Sequence, residues 1–250
     1  MEKLSYLIAL VPKMDPTDYV GFTFFIGCMA MMAASAFFFL SLSQFNPKWR
    51  TSILVSGLIT FIAAVHYFYM RDYWISNMES PVFFRYVDWI LTVPLMCVEF
   101  YLILKVAGAK QSLLWKMIFY SVGMLVTGYI GEAIYGDETQ SWIWGLISGI
   151  FYFLIVYEIW LGSAKKLAES AGGHVLRAHK ILCWFVLVGW AIYPVGYIAG
   201  TEGGLFGVPM FQDLSMDVIY NIGDAINKIG FGLVIYSLAS AVMAEKESHA

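Results

Sequence analysis

The chain has 250 residues; 60% are apolar or aromatic, only 13% are charged, and the mean hydropathy is +0.71. About a quarter of a soluble domain's residues carry charge, so this composition excludes a water-soluble globular protein. The net charge of −3 identifies no partner, and no nucleic-acid ligand is expected. Near the N-terminus the run Leu4–Val11 follows Lys3. It resembles a weak signal peptide, but no small-x-small cleavage site follows, and it reads as a retained interfacial segment. Seven apolar runs are then long enough to cross about 30 Å of hydrocarbon. They cover Tyr19–Leu42, Ser52–Met70, Phe83–Val106, Leu113–Ile134, Trp142–Leu161, Ile181–Ala199 and Val218–Val242. Between them fall Asn46-Pro47-Lys48, Arg71-Asp72, Gly108-Ala109-Lys110, Gly136-Asp137-Glu138, Gly172-Gly173 and Gly203-Gly204. None of these connections has room for a second domain. Residues 1–250 therefore read as one all-α membrane domain, a bundle of seven transmembrane helices embedded in a lipid bilayer. Cys28, Cys97 and Cys183 all lie in apolar runs, where buried thiols are expected rather than a disulfide framework.

Basic residues flanking the spans orient the bundle. With the N-terminus outside, the inner side holds Lys48, Arg50, Lys105, Lys110, Lys116, Lys165, Lys166, Arg177, Lys180 and Lys246. The outer side holds only Lys3, Lys13 and Arg71. This asymmetry predicts residues 1–18 outside and a tail, residues 243–250, in the cytoplasm.

Two basic residues, Arg85 and Lys228, remain within the spans. An ionisable group inside a bilayer costs several kcal/mol unless it is paired, so each marks a functional-site hypothesis. Lys228 follows Asp224 by four residues, one helical turn on the same face. The third span carries Arg85, Asp88, Thr92 and Glu99. Asp88 and Thr92 are one turn apart, and Glu99 shares their face about 16 Å deeper. The span thus presents cation, carboxylate, hydroxyl and carboxylate in axial order. A bundle stabilised only by structural ion pairs would not need so many costly groups in line.

Three motifs carry a family resemblance: Arg85-Tyr86-x-Asp88-Trp89-x-x-Thr92-x-Pro94, Trp190-x-x-Tyr193-Pro194 and Asp224-x-x-x-Lys228. Together they resemble the microbial rhodopsins, and among these most closely the proteorhodopsins. The resemblance implies all-trans-retinal bound to Lys228 as a protonated Schiff base, with Asp88 and Asp224 as counterions and no metal. It implies that Asp88 accepts the Schiff-base proton and that Glu99 returns one from the cytoplasmic side. The fitting function is a light-driven outward proton pump, an ion transporter rather than an enzyme. Chloride pumps of the family lack the carboxylate at Asp88, and sodium pumps carry Asn and Gln at Asp88 and Glu99. The alternatives are a photosensory rhodopsin signalling through a transducer, disfavoured by Glu99, and a light-driven pump for another ion.

The resemblance extends to further positions. Trp89, Thr92, Met96, Met124, Gly128, Trp190, Tyr193, Pro194 and Tyr197 would surround the retinal, although aromatic and small residues also serve ordinary helix packing. His66 would pair with Asp88, so that pumping weakens as pH falls through the Asp88 titration. Met96 matches the spectral-tuning position, where an apolar residue goes with green absorption. Gly145 matches a glycine that opens a carotenoid window in antenna-bearing relatives. Glu132 and Glu158 are expected in interfacial hydrogen bonding or structural pairing, and Glu202 gives no basis for a role. The family further suggests a pentamer or hexamer and a bacterial inner membrane.

Overall fold

The computed structural model describes residues 15–135, 138–200 and 216–248. The expected N-terminal segment up to Met14, Gly136-Asp137, the Gly203-Gly204 connection with Glu202, and the last two residues lie outside the described residues. Seven helices are long and apolar enough to cross a membrane, which makes this a multi-pass membrane protein of all-helical architecture.

Helix α1 spans Tyr19–Ser41. Asp18 caps it, accepting from the Gly21 N–H at 2.8 Å and so satisfying one of the otherwise free first-turn donors. The other Asp18 oxygen accepts from the Trp74 indole at 2.9 Å, tying the start of α1 to its neighbour. Helix α2, Pro47–Asn77, opens on an Asn46 cap followed by proline, whose fixed φ and missing N–H suit a first helical turn. It continues past the expected Arg71-Asp72 connection, and both residues lie inside the helix. Apolar length measures the membrane crossing, whereas no glycine or proline stops the helix before Met78 turns left-handed at φ 55°. The true connection is residues 78–81, ahead of α3, Val82–Leu104.

Helix α4, Gln111–Tyr129, runs into a π turn over Ile130–Ile134. Helix α5 covers Glu138–Trp160, and a short α6, Ser163–Ala171, follows. The sixth rod consists of α7, Gly173–Trp184, a π turn over Phe185–Gly189, and α8, Ile192–Gly200. Lys165, Lys166, Arg177 and Lys180 are therefore helical rather than looped; amphipathic turns outside the apolar window carry them. Helix α9, Met216–Ser248, closes the bundle.

The second π turn frees carbonyls that hydrocarbon cannot satisfy, and neighbouring helices must supply donors. The Tyr152 hydroxyl lies 3.1 and 3.0 Å from the Val186 and Leu187 carbonyls, and the Asn227 amide donates to the Gly189 carbonyl at 2.9 Å. Gly189 permits that approach, because a Cβ there would collide with the Asn227 side-chain amide. The π turn and its two donors set the register in which Trp190 and Tyr193 face the centre.

Candidate functional site

Helix α3 buries Arg85, Asp88, Thr92 and Glu99 within the bundle. Helix α9 buries Asp217, Asn221, Asp224 and Lys228, spaced four, three and four residues apart and hence on one face. The two rows meet at Lys228. Its Nζ donates to Asp88 Oδ2, and to Asp224 Oδ2 at 2.5 Å. The amine nitrogen occupies the place of any nitrogen that a covalently attached group would carry. Desolvating a cation and two carboxylates is costly, and only mutual contact and further hydrogen bonds offset it.

The two carboxylates are not equivalent. Asp224 has both oxygens engaged, because the Tyr193 hydroxyl donates to Oδ1 at 2.7 Å. Asp88 Oδ1 is buried without a hydrogen-bond partner. The site thus contains one fully held anion and one with free capacity beside the same nitrogen. His66 Nδ1 stands 3.8 Å from Asp88 Oδ1, within electrostatic reach but beyond a hydrogen bond. It lies 2.9 Å from the Ile62 carbonyl, which assigns the Nδ1 proton to that contact.

Glu99 lies deeper in α3, and Ser56 of α2 contacts its Oε1 at 2.6 Å while Oε2 is buried and unpartnered. Ser56 also lies 3.2 Å from the Ser52 carbonyl. Ser56 is the donor to both acceptors, its one proton shared between the nearer contact to Glu99 Oε1 and the longer one to the Ser52 carbonyl. Sequence reasoning missed Ser56, since a lone serine on another helix gives no pattern to follow.

Arg85 reaches toward the start of α9 rather than toward Asp88, donating to Asp217 at 2.6 Å and to Asn221 at 3.0 Å. Asp217 was also missed, although its distance of seven residues from Asp224, about two turns, was a usable signal. Glu132 accepts from Tyr86 at 2.7 Å. Glu158 accepts from Lys116 at 2.5 Å and from the Ser163 and Ala164 N–H groups at 3.0 and 3.3 Å, capping α6.

A cavity of about 420 Å³ lies between α3, α4, α5 and the sixth rod, within the range of small-molecule sites. Its wall includes Trp89, Met124, Gly128, Trp190, Tyr193, Pro194 and Tyr197 together with Gly145. It also includes Tyr86, which the sequence offered only as part of a motif, and Ser148 and Tyr152. Thr92 and Met96 are buried but do not line it. Thr92 donates to the Asp88 carbonyl at 2.9 Å, and Met96 lies about two turns beyond Trp89. The Tyr193 ring, 4.8 Å from the Trp89 ring, joins the cavity to Asp224. Gly145 faces the Tyr197 ring, 2.8 Å from where a Cβ would stand, so Tyr197 fills that notch. Lys228 is buried and does not itself line the cavity; Tyr193 and Trp89 stand between the two, so an aromatic cavity suited to an apolar molecule lies beside a buried amine. The three cysteines are free and buried. Among the described residues no group of three metal-ligating side chains occurs.

The family described as bacteriorhodopsin-like protein matches residues 18–242. The green-light absorbing proteorhodopsin of Gamma-proteobacterium EBAC31A08 is 41% identical, covering 90% of this chain and 88% of that one. The crystal structure of blue light-absorbing proteorhodopsin from Med12 is 40% identical, with TM-score 0.74 over 90% of this chain and 99% of that one. Xanthorhodopsin, described as a light-driven ion pump with dual chromophore, is 28% identical, with TM-score 0.78 over 91% of this chain and 95% of that one.

Proposed function

The chain belongs to the bacteriorhodopsin-like protein family, and we propose that it is a light-driven outward proton pump with all-trans-retinal held on Lys228. The observation that carries this reading is Lys228 Nζ between Asp88 and Asp224, with Glu99 buried in the same α3 row. The cavity from Tyr193 and Trp89 to Gly128 would hold the chromophore's length, with Trp89 and Trp190 in its wall. Bound there, retinal supplies a light-driven change of shape that moves the attached nitrogen and alters its hold on a proton. Asp88 takes that proton, a role its unpartnered oxygen supports. Asp224, held at both oxygens by Lys228 and Tyr193, stays the fixed anion. Glu99, buried and accepting from Ser56, keeps a proton in reserve for the nitrogen. Two carboxylates beside one cation divide acceptor and spectator roles by environment.

The same reading takes residues 1–250 as one domain, with residues 1–18 outside, residues 243–250 in the cytoplasm and the chain in a bacterial inner membrane. It also takes a pentamer or hexamer as the assembly. Met96 supports green absorption; relatives at 41% and 40% identity are green- and blue-absorbing, so overall likeness does not decide colour. A carotenoid at Gly145 requires Tyr197 to turn aside. Adding hydroxylated carotenoids without a spectral change or energy transfer removes that antenna.

The test is the light-induced pH change of an unbuffered suspension of cells making the protein with retinal added. Acidification abolished by a protonophore and weakened by Glu99→Gln supports the pump. A visible pigment with no pH change favours the sensor, and alkalinisation enhanced by the protonophore favours another ion.

A further inference from the structure

The pump scheme leaves one buried carboxylate without a task. Asp217 stands in the first turn of α9, and its Oδ1 accepts from Arg85 at 2.6 Å and from the Ser80 hydroxyl at 2.9 Å. The same Arg85 nitrogen reaches Asn221 Oδ1 at 3.0 Å, and the Asn221 amide donates to Thr23 at 2.9 Å. The guanidinium carbon lies 5.2 and 5.1 Å from the Phe24 and Tyr220 ring centres, distances at which cations are attracted to aromatic faces. Residues from α1, the 78–81 connection and α9 thus form a clasp around one cation. Asp88, one turn along α3 from Arg85, keeps an oxygen with no hydrogen-bond partner. A buried cation between two carboxylates is held where its contacts are better, and here they are at the outer one.

We propose that Asp217 is a positioning residue: it holds Arg85 at the outer end of the core, keeps that charge away from Asp88, and so sets the acidity at which Asp88 takes up a proton. The inference rests on Lys228 as the chromophore's attachment point. The other charged and titratable groups around Asp88 are Lys228 and Asp224 of α9 and His66 and Tyr67 of α2. Those around Arg85 and Asp217 are Tyr67 of α2, Tyr220 of α9 and Glu132 of the α4 π turn. Glu132 and Tyr220 also feel the Asp217 charge, and any effect passed through them persists when Arg85 is replaced. Released from its clasp, Arg85 moves toward the next anion, Asp88, and favours its ionised form. More acid is then needed to protonate Asp88. Because a charge beside the chromophore tunes its colour, the change is visible in the absorption band.

The experiment is an acid titration of the visible band in pigment reconstituted with all-trans-retinal. For Asp217→Asn the midpoint of the red shift is expected to fall by about one to three pH units, the effect of a cation brought within 4–6 Å of a carboxylate. Asp217→Glu is expected to return it near the parent value. In an Arg85→Gln background Asp217→Asn should move it by less than about a third as much, since the two residues act as one unit. An unmoved midpoint in Asp217→Asn, or an equal shift in both backgrounds, overturns the proposal. Should Asp217→Asn not accumulate, Asn221→Ala removes the second contact and must move the midpoint the same way by a smaller amount; no movement again overturns it. If the unaltered protein forms no pigment, the attachment reading fails. The clasp is then decided by thermal unfolding of the retinal-free protein: non-additive effects of Arg85→Gln and Asp217→Asn uphold it, and additive effects overturn it.

Discussion

Ser56→Ala isolates the reserve proton. Ser56 is the one hydrogen-bond partner the described residues give Glu99, at 2.6 Å, and Glu99 is fully buried. The variant removes that hydroxyl and leaves a small cavity in its place. A neutral hydrogen bond contributes about 0.5–1.5 kcal/mol and one to a charged group about 1.5–3. Both forms of Glu99 lose a partner, but the carboxylate loses about 1 kcal/mol more. Giving up the proton therefore becomes harder by a factor of about five, at 1.4 kcal/mol per tenfold. In flash photolysis near neutral pH, return of the visible band after its light-driven loss should slow by about that factor, while the loss itself keeps its rate. Unchanged or faster recovery would refute the role given to the Ser56 contact. Equal slowing of both phases would point to a general disturbance of packing instead.

Lys228→Ala is expected to abolish the covalent pigment, seen as absence of the retinal mass increment after reduction of the adduct. Gly189→Ala places a Cβ against Asn227 and breaks its bond to the π turn; a loss of about 1–3 kcal/mol should lower the thermal midpoint of the purified protein. Pumping should decline on the acid side with the same midpoint as the colour transition, because a protonated Asp88 cannot accept. Separate midpoints, read from light-induced pH change and absorbance on one sample, would count against Asp88 as acceptor.

The seven crossings and the Asp88–Glu99 row were legible because hydrocarbon penalises charge and the helix has a fixed repeat. Apolar length and 3.6 periodicity together place costly residues on a face. That reasoning follows one helix at a time. It could not reach Ser56, whose meaning depends on which helix stands opposite, or Asp217, which sits near the apparent end of a span. The π turns escaped for a related reason: Phe185–Gly189 has no marker residue, and only the Tyr152 and Asn227 donors on other helices show why it is stable. The ends of α2 and α7 were set too short, since a water-facing turn continues a helix without adding to its apolar run. Thr92 and Met96 were placed around the chromophore by resemblance, whereas the cavity wall is built from Trp89, Val93 and Tyr86 of the same helix.

The enclosed ionic cluster has an odd membership: Lys228 and Arg85 against Asp88, Asp224 and Asp217. With every member ionised the set carries one surplus negative charge. A proton passing from the lysine nitrogen to Asp88 neutralises one cation and one anion together, so the surplus stays the same. In this transfer the low-dielectric interior, where creating an isolated charge costs tens of kcal/mol, is not asked to hold a different total. The transfer is a rearrangement of dipoles within a cluster of constant charge. The steps that do change the total are the return of a proton from Glu99 and the exchange with water, and gating of the cycle belongs there.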